Sequence, residues 1–258
     1  MTNQRLIPPI VLKGRLAFIT GAGQGNGQEI AIGLARAGAK VIVTDVNEAL
    51  VQQTATIIRS EGNESWHFVL DVTDANQCFE IAKKIGTQIG KVDLLVNNAG
   101  IIIREDSNSP NAAANWRKVF DVNVNGTFNV TQAFLQSLRE TQGTIVNIAS
   151  ITSFIGQGGP LGYSPSKGAI KMYTQSLAAE LGKDGIRVNA LAPGLIETPM
   201  NTEARKKPQF LEHFKLRTPL GRTGNPIDLV GPVVFLSSSM SEYITGVTLP
   251  VDGGYLAV

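Results

Sequence analysis

Seven short apolar runs recur along the chain with helical stretches between them, at residues 15–20, 41–45, 66–71, 92–96, 144–149, 186–191 and 247–251. A strand with one face in water alternates apolar and polar residues; strands that are apolar throughout belong to a parallel sheet covered by helices on both faces. The segments between them carry the helical period. One helix runs through Ile30, Leu34 and Ala35 to Gly38, and others cover 47–59, 74–89 with Asp74 as N-cap, 116–138, 163–181 and 226–236. Regular strand–helix alternation predicts an α/β fold with a doubly wound parallel sheet of about seven strands. No linker or composition shift divides the chain, so residues 1–258 are expected to form a single domain. Pro193, Pro199, Pro208 and Pro219 punctuate a polar, partly helical insertion at about 195–222 that breaks the alternation.

The 258 residues are 43% hydrophobic, enough to bury a large core, and the formal charge of +2 gives no electrostatic reason to expect a nucleic-acid partner. Cys78 is the only cysteine, which excludes an intrachain disulfide and points to a reducing compartment. It shares a helical stripe with Ala75, Ile81, Ala82 and Ile85 and reads as a packed thiol. Residues 1–13, with Pro8 and Pro9, show no leader pattern, and no apolar run reaches membrane-spanning length. The expectation is a soluble, cytoplasmic protein. His67 and His213 stand alone without Cys or carboxylate spacing, so no metal site is expected.

The first strand ends in Thr20-Gly21-Ala-Gly23-Gln24-Gly25-Asn26-Gly27, immediately before the first helix. Glycines in that position let a pyrophosphate approach the backbone at a helix N-terminus. Asp45 closes the second strand eighteen residues after Gly27, near the offset at which a carboxylate meets adenosine ribose hydroxyls and repels a 2′-phosphate. Asp45 can equally cap the helix that begins near Asn47. Farther on, Tyr163 and Lys167 stand four residues apart at the start of a helix, on one face of it. A nearby cation favours the phenolate, so the pair suits general acid/base work on an alcohol oxygen; a packed ring beside a solvated amine has the same spacing.

Taken in order, these features resemble the classical short-chain dehydrogenase/reductase family over Leu12 to Tyr255. The resemblance rests on Thr20-Gly-x-x-x-Gly-x-Gly27, Asn97-Asn98-Ala99-Gly100, Asn123-x-x-Gly126, Ser150, Tyr163-x-x-x-Lys167, Pro193-Gly194 and Asp252-Gly253-Gly254. It implies a Rossmann-type fold and hydride transfer between a substrate carbon and a nicotinamide. Tyr163 would exchange the proton, Lys167 would lower the tyrosine pKa and hold the nicotinamide ribose, Ser150 would hydrogen-bond the substrate oxygen, and Asn123 would anchor a water. The implied cofactor set is Gly21, Gln24, Asn26 and Gly27 in the glycine turn, Asp45, Asp71 and Val72 toward the adenosine, Asn98 and Gly100 after the fourth strand, and Pro193, Ile196 and Thr198 beyond the sixth, with Tyr163 and Lys167. Asn26 departs from the apolar residue, commonly Ile, that the family has there. Asp45, with no Arg in Ala22-Gly23-Gln24, favours NAD over NADP. The family also implies a homo-oligomer, commonly a tetramer.

For the substrate, Thr152, Gln157 and Glu197 offer polar groups beside Ser150 and Tyr163, and Ile101, Ile102, Ile103 and Leu161 offer apolar wall. Arg104, Arg205 and Lys206 are candidates for meeting a carboxylate and equally for being solvated. The segment 206–222 and the C-terminal residues 252–258 look like those of gluconate 5-dehydrogenase-like sugar-acid and polyol dehydrogenases. The expected substrate is therefore a secondary alcohol or ketone on a polyol, sugar or sugar acid. A 3-oxoacyl-thioester (acyl carrier protein) reductase is the alternative within the same chemistry, and its expected use of NADPH runs against Asp45. A non-catalytic dinucleotide sensor would carry a damaged catalytic set, whereas Asn123, Ser150, Tyr163 and Lys167 are all present. Ser164-x-x-Lys167 matches a serine acyl-transferase motif, but its companion S-D-N and K-T-G motifs do not occur.

Overall fold

The computed structural model describes residues 11–258. The proline lead at Pro8 and Pro9, and the leader-free start read from it, lie outside the described residues. The seven expected strands are β1 (Leu16–Ile19), β2 (Lys40–Asp45), β3 (Ser65–Val69), β4 (Leu94–Asn97), β5 (Thr144–Ile148), β6 (Arg187–Pro193) and β7 (Thr248–Val251). They form one parallel sheet in the order β3-β2-β1-β4-β5-β6-β7. Every residue of β1, β4 and β5 is buried, which is why these strands read as unbroken apolar runs. Successive side chains point to opposite faces, so Ala17 and Ile19 join one core layer while Leu16 and Phe18 join the other.

The helices are α1 (Gly25–Arg36), α2 (Glu48–Ser60), α3 (Ala75–Gln88), α4 (Ala112–Phe120), α5 (Gly126–Thr141), α6 (Tyr163–Leu181), α7 (Thr202–Arg205), α8 (Pro208–Leu216) and α9 (Val230–Ser237). Ile30 and Leu34 of α1, Val51 and Ile58 of α2 and Leu236 of α9 fill one layer. Ile81 of α3, Phe134 of α5 and Leu177 of α6 fill the other, where Phe134 packs on Phe18 with ring centroids 4.3 Å apart. Cys78 is buried in this second layer as a packed thiol, and burial pushes its pKa up to about 11. Asp74 is the N-cap of α3, its carboxylate accepting from the Gln77 amide at 3.0 Å. Among the described residues, no helix is long and apolar enough to cross a membrane.

The helix expected over residues 116–138 differs in two respects. It begins earlier, at Ala112, and opens into a π turn at Asp121–Asn125 between α4 and α5. Such widened turns concentrate at functional sites because they aim a side chain that a regular helix would place elsewhere. The insertion after β6 contains α7 and α8, and the helix expected at 226–236 is a 3-10 turn, Pro226–Leu229, leading into α9.

A buried polar chain pins the middle of the sheet to its helices. Asn97 Nδ2 on β4 donates to Thr131 Oγ1 on α5 and to Asn147 Oδ1 on β5, and Asn147 Nδ2 donates to Thr174 Oγ1 on α6. Each link is worth little net, but a stranded partner costs its desolvation. Asn147→Leu is therefore expected to lower stability by about 1–3 kcal/mol, read as a lower urea midpoint at unchanged m-value. An unchanged midpoint would refute this account of the chain.

Candidate active site

At the carboxyl ends of β1 and β4, where the strand order reverses, a cavity of about 1270 Å³ opens. The glycine turn between β1 and α1 forms one wall. A Cβ on Gly27 would overlap the Gly21 carbonyl oxygen and the Asn98 side-chain amide, so only glycine lets the turn close this tightly. Asn98 Nδ2 donates to the carbonyls of Thr20 and Gly21, both at 2.9 Å, and Thr20 Oγ1 accepts from the amides of Asn98 and Ala99. The first helix thus begins at Gly25 with its N-terminus facing the cavity, and Gln24 precedes it as an extended N-cap residue. A glycine-rich backbone wall at a helix N-terminus fits a pyrophosphate.

Asp45 lies at the far end of the same cavity. It does not cap α2, as one reading of its position allowed. Asn47 does that, accepting from the Leu50 amide at 3.1 Å. Asp45 instead accepts from the amides of Gly23 and Asn47, at 3.1 and 3.0 Å, and so ties the glycine turn to β2. A Cβ on Gly23 would stand 2.9 Å from that carboxylate, which explains the additional glycine in the turn. Asp71 and Val72 line the cavity beside Asp45; Asp71 accepts from the amide and hydroxyl of Thr73, and the Val72 carbonyl accepts from Asn129. Pro193, Ile196 and Thr198 line it from the end of β6 and the loop beyond. Asn26 lines it too, and its Oδ1 is buried without a hydrogen-bond partner among the described residues.

Ser150, Tyr163, Lys167 and Gly100 meet at the opposite end. Lys167 is 4% exposed, and its Nζ donates to the Ile148 carbonyl at 2.8 Å. Burial lowers its pKa to about 8. Nζ lies 5.9 Å from the Tyr163 ring centroid. Burial pushes the Tyr163 phenol up, opposed by the Ser150 hydroxyl and by the charge of Arg104. Ser150 follows β5, with its Oγ accepting from the Thr152 amide.

Asn123 sits behind the cavity wall, fully buried in the π turn. Its Oδ1 accepts from the Ile101 amide at 2.8 Å, and its Nδ2 donates to the Ile101 carbonyl and to Ser166 Oγ. The Gly100 Cα separates it from Lys167, since a Cβ there would meet Asn123 Oδ1 at 3.2 Å and Lys167 Nζ at 3.4 Å. Ser166, expected only to shape the start of α6, donates to the Tyr163 carbonyl and thereby fixes Asn123 to the helix that carries Tyr163 and Lys167. Ser164 accepts from the Gln157 amide at the loop edge.

Thr152 and Gln157 do not line this cavity. They border a second one, of about 550 Å³, under the insertion. Other substrate candidates fall elsewhere: Ile101 lines the larger cavity, Leu161 is exposed, and Glu197 is held by Thr223 and Arg205. Arg205 and Lys206 are paired with Glu197 and Glu203. Lys207, Phe210, His213, Arg217 and Tyr255 border the second cavity; they fall in the segments 206–222 and 252–258 that carry the sugar-acid dehydrogenase resemblance, where nothing singles them out, and Arg117 and Lys118, which border the first, have no motif to mark them.

Comparison with known proteins agrees with this geometry. A family model described as Enoyl-(Acyl carrier protein) reductase matches residues 21–256. A 2-dehydro-3-deoxy-D-gluconate 5-dehydrogenase of Dickeya dadantii is 38% identical over 248 residues, covering 95% of this chain and 97% of the relative. A 3-oxoacyl-acyl-carrier-protein reductase of Thermotoga maritima is 36% identical, covering 94% of this chain and 98% of the relative. The crystal structure of a gluconate 5-dehydrogenase from Burkholderia cenocepacia J2315, in complex with NADP and tartrate, superposes with a TM-score of 0.92 at 36% identity, covering 97% of this chain and 98% of that one.

The buried ammonium generates a prediction about stability. Between pH 8 and the ordinary lysine value of about 10.4, the unfolded chain holds a proton that folded Lys167 has shed, so this residue's contribution to stability improves as pH rises. At pH 7 the buried charge is a cost. Lys167→Met is expected to raise the Tm at pH 7, by about 2–4 °C for each kcal/mol recovered, with the advantage shrinking toward pH 10. Calorimetry of both proteins across that range checks it, and a Tm gap that widens with pH would contradict it.

Proposed function

The chain belongs to the short-chain dehydrogenase/reductase family, oxidoreductases acting on CH–OH groups with a nicotinamide dinucleotide, and from that premise we propose that it is an NAD-dependent dehydrogenase that interconverts a secondary alcohol and a ketone on a polyol, sugar or sugar acid. The observation that carries this reading is the meeting of Ser150, Tyr163 and Lys167 in the cavity whose other end holds Asp45. When bound, the dinucleotide accepts the hydride from the carbinol carbon or returns it to the ketone.

The chain's own residues manage the proton and the oxygen. Tyr163 takes the hydroxyl proton during oxidation and returns it during reduction. Ser150 donates to the substrate oxygen, stabilising charge that develops there. Lys167 holds ribose hydroxyls and, freed from its carbonyl, brings positive charge toward the phenol. Asn123 presents a relay water to Lys167. Gly21, Gln24, Asn26 and Gly27 would hold the pyrophosphate side, Asp45, Asp71, Val72 and Asn98 the adenosine side, Gly100 and Pro193 the nicotinamide side, and Ile196 and Thr198 the carboxamide and pyrophosphate, Thr198 lying against Gly25 of the turn. The insertion at 195–222 covers the substrate.

The NAD preference rests on Asp45, whose carboxylate would oppose a 2′-phosphate, and on the lack of a cation in Ala22-Gly23-Gln24. The Burkholderia relative carried NADP, so the point needs measurement on this chain. The parent is expected to have a higher kcat/KM with NAD than with NADP. Asp45→Ser is expected to shrink that ratio by about tenfold, equivalent to 1.4 kcal/mol. Equal or better efficiency of the parent with NADP would refute the preference.

The alternative, a 3-oxoacyl-thioester reductase, draws on the Thermotoga relative and the family description. A screen of polyols, aldonates and 3-hydroxyacyl thioesters with NAD⁺ at alkaline pH separates the two readings. Activity confined to the thioesters would favour the alternative. Tyr163→Phe is expected to lose about 10²–10⁴-fold in kcat while still binding NADH, read by fluorescence titration. A homotetramer is the proposed assembly, with exposed Phe128 on α5 and Met172 on α6 as apolar contact surface; light scattering tests it.

A further inference from the structure

The second cavity opens between the Ser150–Gln157 loop and the insertion, and three cationic side chains border it. Arg104 follows β4, Lys207 precedes α8 and Arg217 follows it. Ile151 and Thr152 of the cavity lining directly follow Ser150, and the Thr152 amide donates to Ser150 Oγ at 3.2 Å, which places this cavity beside the candidate proton-transfer residues. Among the described residues, none of the three cations has a carboxylate within ion-pair distance. Their neighbours in the insertion do: Arg205 pairs with Glu197, Lys206 with Glu203 and Arg222 with Asp228. Glu203 also borders the cavity, but Lys206 Nζ lies 2.6 Å from its carboxylate. The cavity therefore carries unmatched positive charge over apolar surface from Ile151, Phe210 and Phe214.

Arg217 is exposed, and its side chain rests beside an aromatic ring. Its guanidinium lies 4.8 Å from the centroid of the Tyr255 ring. Tyr255 is buried, and its other neighbour is Phe214, stacked at 5.3 Å with an interplanar angle of 26°. Among the described residues no side-chain hydrogen bond engages the Arg217 guanidinium, so beside this ring its N–H groups are free to meet a carboxylate, whose geometry they match.

We propose that Arg217, with Lys207 and Arg104, forms a carboxylate-recognition subsite, so that the substrate is a polyhydroxy acid and not a neutral polyol, with Tyr255 as a positioning residue for Arg217. This rests on the alcohol dehydrogenase reading of Tyr163 and Ser150 and narrows its substrate. The recognised carboxylate sits away from the reacting carbon, and the subsite acts on binding, not on hydride transfer.

The test compares aldonate–alditol pairs of five and six carbons, such as D-gluconate and D-sorbitol, which differ only in replacing the carboxylate by CH₂OH. The parent is expected to prefer the aldonate. Arg217→Gln is expected to raise the aldonate KM by about tenfold or more, as for loss of a charge-assisted hydrogen bond, with kcat and the alditol KM unchanged. Lys207→Gln is expected to act in the same direction. Tyr255→Leu should copy the effect of Arg217→Gln, and Tyr255→Phe, which keeps the ring, should not. An unchanged aldonate KM in both cation variants, or an equal loss on aldonate and alditol, overturns the subsite. Turnover of alditols but of no aldonate by the parent overturns it while leaving the dehydrogenase reading intact. Turnover of neither, with NAD or NADP, overturns both.

Discussion

Between β1 and β4 the winding of the sheet reverses, so the connections leaving these strands diverge to opposite faces and no helix covers the crevice at their carboxyl ends. Every feature of the candidate site depends on that opening. The glycine turn enters from β1, Asn98 and Gly100 from β4, Asp45 from β2, Ser150 after β5, and Pro193 from β6. A parallel sheet puts all of these strand ends on one edge, which is how residues separated by 170 positions or so come to share one cavity. The tight contact of Gly27 with the Gly21 carbonyl keeps the crevice walls bare enough for a phosphate group to reach a helix N-terminus.

The catalytic end of the crevice shows how stability and function compete. Lys167 is a buried ammonium with one carbonyl partner, and Tyr163 is a phenol whose surroundings favour its neutral form. At neutral pH the buried ammonium does not favour the folded state by itself, whereas the neutral phenol carries no such charge cost. Both make sense if ligand hydroxyls complete the polar shell. The π turn, Asn123 and Ser166 hold the frame around them, linking α4, α5, α6 and the backbone after β4 through four short hydrogen bonds. A site of this kind holds reacting groups in position before they are used, which is the larger part of electrostatic catalysis.

Specificity is divided between the two ends. Asp45 is positioned by the backbone amides of Gly23 and Asn47, so under the proposed function cofactor choice would be built into the same loop that receives the pyrophosphate. Substrate choice would lie in the insertion and the C-terminal residues, where Arg217 rests beside Tyr255. These segments carry no core strand, and they can vary without disturbing the sheet.

How much of this could be read from the chain alone follows from what sequence patterns encode. Apolar periodicity is a local property, and it specified the seven strands, the main helices and the doubly wound class. Local spacing marked the glycine turn and the Tyr163–Lys167 pair, and resemblance to the family marked Ser150 and Asn123, because each motif keeps a set place on its own element. Strand order, the π turn and the partnership of Ser166 with Asn123 did not appear in any local pattern; they depend on which elements pack together. The same holds for the role of Asp45, which the sequence left between ribose ligand and helix cap and which the structure shows bound to the amides of Gly23 and Asn47. The carboxylate candidates changed most. The sequence offered Arg104, Arg205 and Lys206; packing pairs the last two with glutamates, leaves Arg104 at the cavity and adds Arg217 and Lys207 beside it. Sequence determines which residues carry charge; only the tertiary fold decides which of those charges are already neutralised, because ion pairs form between residues that the chain brings together from a distance.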